Sequence, residues 1–220
     1  MALYPYINGR NGVDTKISEQ QWQQLGEAVK KLHSADIPES IISNLPKEIF
    51  SLKCCQTVRL FLDRTQNEVF DEAVAAKLPA LLKSKNKIIL ELIKRTEELG
   101  SILQNRSLQH VLCHADMYGW NLLIEQNNHL YLIAWDTLIL AAKERDLMFI
   151  GAGIWDSGYT PTEEESLFYK GYGQANINQD VLCYYRFNHI LQDISEYCEY
   201  IFLSDEGGDD RMQFLGHTTT

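Results

Sequence analysis

Apolar positions along this chain follow two different rhythms. From residue 18 to residue 103 they recur every three or four positions, the spacing of helices that bury one face. Trp22, Leu25, Val29 and Leu32 form the first stripe, and Ser18 with Gln21 ahead of it predicts a capping box. Residues 34–50 are irregular, with Pro38 and Pro46 as breakers. Helical spacing resumes over residues 58–62 and 69–82, where Pro79 is expected to interrupt it, and Ile89, Leu92, Thr96, Leu99 and Leu103 give a further stripe. The middle of the chain changes character. Residues 108–113, 122–125 and 130–134 are short apolar runs between turn residues and predict strands, the last two joined as a hairpin by Gln126-Asn127-Asn128. Residues 1–7 also predict a strand, and Asn8-Gly9-Arg10-Asn11-Gly12 a turn-rich linker. Beyond Asp136 the chain is expected to be mostly helical, its best late helix carrying Cys183, Phe187, Ile190, Ile194, Tyr197 and Ile201 on one face. Residues 205–220 are polar and Gly-containing, which predicts partial disorder. The fold class expected is α+β, helix-rich, with a small central β-hairpin.

Composition narrows the partners. The 220 residues suffice for one sizeable domain or one large lobe. A formal net charge of −10 repels phosphate backbones and anionic membranes, so neither nucleic acid nor a membrane is expected as partner. The charge suits a cationic ligand. No apolar run reaches the length of a membrane span and no signal peptide is visible. The five cysteines, Cys54, Cys55, Cys113, Cys183 and Cys198, show no CxxC spacing, and reduced buried thiols in a cytoplasmic protein are expected.

Candidate chemistry lies in His114-Ala115-Asp116-Met117-Tyr118-Gly119-Trp120-Asn121. Its spacing, H-x-D-x-x-x-x-N between two strands, is that of a phosphoryl-transfer catalytic loop. A carboxylate, Asp116, would orient the attacking hydroxyl and accept its proton. An amide oxygen, from Asn121, would hold magnesium, which prefers hard oxygen ligands. His114 reads as a buried histidine bonding nearby backbone rather than as a proton carrier. If the hairpin folds symmetrically about Asn127, Asn121 lies opposite Ile133, so the next residues emerge beside Asn121. The first of these is Ala134, which offers a metal nothing. Asp136, two positions along an extended strand, would either ligate the metal or cap the next segment. Glu144-Arg145-Asp146 on its own reads as a solvated charged turn.

These residues resemble the aminoglycoside phosphotransferase family, which shares the protein-kinase-like fold. The resemblance extends over the whole chain and is strongest at residues 114–121 and 131–151. It implies a C-terminal lobe over residues 13–204, with residues 1–12 as the hinge strand and linker, where Tyr4, Pro5 and Tyr6 would meet adenine. It implies ATP and Mg2+ as cofactors, Asp116 as catalytic base, Asn121 as metal ligand and Asp146 as support of the catalytic loop. It also implies an acidic surface, including Glu196 and Glu199, facing a cationic aminocyclitol or aminoglycoside. Three departures stand out. The family has Asp where this chain has Ala134, and commonly Pro where it has Ala142. The Gly-rich loop, the phosphate-pairing lysine and its helix glutamate have no counterpart here, as in a C-lobe fragment or a degenerate homologue. Little or no turnover is expected on that reading, and self-association through the surface that faces the other lobe. The alternatives are a catalytically silent binding module and another small-molecule kinase, such as a choline kinase-like enzyme.

Overall fold

The computed structural model describes residues 6–67 and 73–203, with backbone alone for residues 73–77. The elements in chain order are β1 (Gly9–Asn11), α1 (Glu19–His33), α2 (Glu39–Ile42), α3 (Lys53–Asn67), α4 (Ala73–Leu103), β2 (Val111–Cys113), β3 (Leu122–Glu125), β4 (Leu130–Leu132), β5 (Ile139–Ala141), α5 (Glu144–Leu147), α6 (Pro161–Tyr172) and α7 (Gln179–Leu203). Most of the expected strand at the start and the tail 205–220 lie outside the described residues. Among the described residues no helix is long and apolar enough to cross a membrane.

Contacts divide the chain into two units. The first comprises Met1–Ile49 and Ser107–Leu182. Here α1 starts as expected: the Gln21 N–H donates to Ser18 Oγ, and the Ser18 N–H to Gln21 Oε1. Its apolar stripe buries Trp22, Leu25 and Val29 completely. Each such side chain removed from water contributes roughly 2–3 kcal/mol. α1 packs on α6 at very close range. A Cβ on Gly171 would stand 1.9 Å from the Gln23 carbonyl oxygen, and one on Gly26 2.2 Å from that of Phe168, so only paired glycines permit this crossing.

The hairpin forms in the expected register, Leu122 opposite Leu132 and Leu123 opposite Tyr131, and the Ile133 N–H donates to the Asn121 carbonyl. Two corrections apply nearby. The early strand is β1, not residues 6–7, and it occupies the segment expected to be a linker. Its backbone pairs antiparallel with β3, Gly9 opposite Glu125, giving the order β1-β3-β4. Beyond Asp136 a further strand, β5, pairs antiparallel with β2, Cys113 opposite Ile139. Its three residues are all apolar and too few to show a strand's alternation.

The second unit comprises Phe50–Arg106 and Cys183–Thr220. Its core packs Val58, Phe61, Leu82, Ile93, Leu191 and Cys198 from α3, α4 and α7. Pro79 does not interrupt α4. Proline removes one backbone hydrogen bond, and burial of Leu78 and Leu82 on either side holds the helix through it. The apolar face of α7 is also rotated from expectation. Tyr184, Leu191 and Cys198 are buried, whereas Ile190 is 47% exposed. Ile190, Ile194, Tyr197 and Ile201 instead line an apolar groove of about 350 Å³ with residues of α4.

Candidate active site

All of the loop residues, with Asp146, Ala134 and Asp136, belong to the first unit. β2 delivers the chain into the loop and a 3-10 turn, Gly119–Asn121, returns it to β3. Ala115 holds a positive φ of 69°, which a side chain accepts only where neighbours enforce it. The enforcing group is Asp146, on α5. Its Oδ2 accepts the His114 N–H at 3.0 Å and its Oδ1 the Ala115 N–H at 2.7 Å. Asp146 and Glu144 are 0% and 3% exposed, so the solvated-turn reading of this segment fails. Two buried carboxylates need donors; Glu144 takes the Asn178 N–H at 2.9 Å.

His114 is fully buried. Its Nε2 lies 2.8 Å from the Ile133 carbonyl, and its Nδ1 faces the Asp116 N–H at 3.2 Å. A carbonyl only accepts and an N–H only donates, so the proton sits on Nε2. Trp135 packs edge-on against this ring at 4.8 Å, and the Thr137 hydroxyl donates to the His114 carbonyl at 2.7 Å. Asp116 is half-buried. The Asn121 amide Nδ2 donates to Asp116 Oδ2 at 2.7 Å and to the Asp116 carbonyl at 2.8 Å. Both contacts use the nitrogen, which leaves Asn121 Oδ1 available as an acceptor or ligand. The Gly119 site is equally constrained, because a Cβ there would meet Val13 Cγ1 at 2.8 Å and the Trp155 indole at 3.2 Å.

The hairpin delivers Ala134 beside Asn121, but not on an extended strand. Ala134 adopts φ 61°, ψ 62°, and Trp135–Thr137 forms a 3-10 turn. The left-handed region costs an alanine roughly 1–2 kcal/mol, while aspartate and asparagine visit it more readily. Asp136 is exposed within that turn, not two steps further along a strand. The oxygen donors on and beside the loop are Asn121 Oδ1, the Asp116 carboxylate and the exposed Asp136 carboxylate, while Ala134 offers none.

The remaining expected residues are more dispersed. Tyr6 is 91% exposed, and Tyr4 and Pro5 lie outside the described residues. Glu196 and Glu199 are exposed on the part of α7 in the second unit. Glu196 accepts from Gln192 Nε2 at 2.9 Å and lines a pocket of about 260 Å³ with Asp193, Tyr197 and Tyr200.

Sequence reasoning missed several participants. Trp155 packs against the loop, with Tyr118 edge-on at 5.3 Å and Trp22 stacked at 6.2 Å. His33, at the end of α1, donates from Nε2 to Asp146 Oδ2 at 3.0 Å, and its Nδ1 lies 2.8 Å from the Tyr172 hydroxyl. Nothing in the local pattern singles these residues out, since their partners are 37 to 139 positions away. Ligand atoms of His33, Cys113 and Asp146 lie within 4.8 Å of one another. Hydrogen bonds already occupy them, Cys113 Sγ facing the Ala142 carbonyl at 3.6 Å. Burial pushes the Cys113 thiol far above its ordinary range, and the charge of Asp146 adds to this.

A carboxylate and an amide on a doubly anchored loop, beside a short hairpin and among helices, are the arrangement of a kinase-like fold. The chain belongs to the phosphotransferase enzyme family (APH), whose model matches residues 1–181. Among solved structures it is similar to spectinomycin phosphotransferase, APH(9)-Ia, in complex with ADP and spectinomycin: 33% identity and a TM-score of 0.89 over 97% of this chain and 65% of that one. The AMP-bound complex of the same enzyme gives 32% identity and 0.88, over 98% and 67%. The chain thus spans about two thirds of that enzyme's length. An ethanolamine kinase of Plasmodium vivax, at 15% identity and a TM-score of 0.58 over 98% of this chain and 63% of that one, shares the fold. A search of curated protein sequences gives no significant match. Within the family, the resemblance carried by residues 114–121 and 131–151 is likewise to spectinomycin phosphotransferase.

Proposed function

We propose that this chain carries the catalytic and acceptor-binding part of an ATP-dependent phosphotransferase acting on a hydroxyl of a cationic aminocyclitol of the spectinomycin type. The observation that carries the reading is the Asp116–Asn121 pair, held at 2.7 Å on a loop pinned by Asp146. Asp116 would orient the acceptor hydroxyl and take its proton as the new O–P bond forms. The bond between the γ-phosphorus and its bridging oxygen breaks, and ADP leaves. The Asn121 contact holds the carboxylate in one rotamer, so less reorganisation is needed when the hydroxyl arrives. Substrate choice is supported by the similarity to an enzyme crystallised with spectinomycin. The acidic, tyrosine-flanked pocket at Glu196 offers the chemistry for ammonium groups.

A second reading, a binding module with little turnover, is favoured by Ala134. The missing carboxylate removes charge stabilisation of the transferring phosphoryl group, worth several kcal/mol. Both readings are tested by calorimetric titration with spectinomycin, followed by ADP-release assays on the chain and on Ala134→Asp. Spectinomycin binding weakened by Glu196→Gln is expected, with turnover low in the chain and raised about tenfold or more in Ala134→Asp. A chain that ignores spectinomycin would sink the substrate assignment. Unchanged turnover in an Ala134→Asp protein that does bind it would sink the role given to Ala134.

A further inference from the structure

We propose that His33 and Tyr172 are positioning residues for the catalytic loop, acting through Asp146 on the conformation that presents Asp116. This role rests on the reading of Asp116 as the reacting carboxylate. The geometry beneath it stands on its own. The Asp146 carboxylate accepts three N–H groups, two from loop backbone and one, at 3.0 Å, from His33 Nε2. The side chains of His33 and Asp146 are only 4% and 0% exposed, so no solvent substitutes for a lost partner. His33 and the His114 N–H share Oδ2. Removing His33 therefore frees the carboxylate to turn about its Cβ–Cγ bond and slackens both backbone anchors. One of those anchors holds Ala115 at φ 69°, a conformation that relaxes once its restraint is gone.

The ring of His33 is itself fixed. A carboxylate cannot donate, so Nε2 bears a proton, and Nδ1 pairs with the Tyr172 hydroxyl at 2.8 Å. Tyr172 is set in turn by stacking on Phe168, ring centroids 5.5 Å apart. The chain of contacts thus runs from α6 through α1 to α5 and into the loop. The close α1–α6 crossing keeps His33 and Tyr172 in reach of each other. The nearby Cys113 thiol takes no part, being turned toward the carbonyls of Ala141 and Ala142.

The test is residue-resolved amide hydrogen exchange on the whole chain and on His33→Leu, His33→Gln and Tyr172→Phe. The Glu125 and Asn128 amides of the hairpin, bonded to His129 and Glu125, serve as internal references. His33→Leu should speed exchange at His114 and Ala115 about tenfold or more relative to those references. His33→Gln, which keeps an N–H for Asp146, should stay within about threefold of the parent, and Tyr172→Phe should fall between the two. Acceleration that is equal at all four amides means a loss of general stability and overturns the proposal. So does an unchanged His114 and Ala115, or a His33→Gln protein no better than His33→Leu. If His33→Leu does not fold, Tyr172→Phe and His33→Gln decide on the same criterion. Where turnover is measurable, kcat should fall with the KM for spectinomycin unchanged. Selective exchange in a chain that never binds or phosphorylates spectinomycin would leave the positioning role standing and remove the phosphotransferase reading alone.

Discussion

Glu164 illustrates how a single buried carboxyl ties this fold to pH. It is 3% exposed, on the first turn of α6, and accepts a hydrogen bond from the Ser157 hydroxyl. Burial raises its pKa above the ordinary 4.5, and the Ser157 contact offsets only part of that rise. The folded chain therefore holds this proton more tightly than the unfolded chain. Its contribution to stability is fully present below the ordinary value and is lost as pH climbs through the raised one. Glu164→Gln, which cannot ionise, should remove this downward slope. Urea midpoints of parent and variant, compared across the acidic range, should diverge as pH rises, with the variant the more stable at neutral pH. Parallel curves would mean that Ser157 and the surrounding dipoles fully compensate the charge. At this same scale the sequence was only partly readable. Asp116 and Asn121 stood out because their spacing is local. His33 and Tyr172 did not, because 113 and 139 positions separate them and their partner groups.

Among the elements, those with strong one-sided patterns were legible. The capping box at Ser18, the α1 stripe and the hairpin register all followed from neighbouring residues. The elements misread were those whose form depends on a distant partner. β1 and β5 are three residues each, too short for periodicity, and exist because β3 and β2 present free backbone groups. The α7 face was misjudged because apolar residues cover more of its circumference than the core uses. The α1–α6 crossing makes a sharper claim. Gly171→Ala would place a methyl 1.9 Å from the Gln23 carbonyl oxygen, backbone that cannot step aside. Forcing these helices apart should cost at least about 2 kcal/mol. A urea midpoint within error of the parent would show that the helices can slide without loss.

At the scale of the molecule, two cores and one cluster of chemistry share 220 residues carrying a net charge of −10. The proposed catalytic loop, its anchor and the residues proposed to steady it all fall in the first unit. The acidic groups proposed to meet a cationic substrate fall in the second. All four tryptophans, Trp22, Trp120, Trp135 and Trp155, belong to the first unit. Trp22 is sealed from water, whereas Trp120, inside the loop of residues 114–121, is 53% exposed. Tryptophan emission, excited apart from that of tyrosine, is consequently a reporter built into one unit. Acrylamide should quench mainly the light from Trp120, and Trp120→Phe should abolish most of that quenching; an unchanged quenching slope would place the accessible indole elsewhere. A titrant that dims this emission is acting at or near the loop, while one that binds the second unit without disturbing the first passes optically unnoticed.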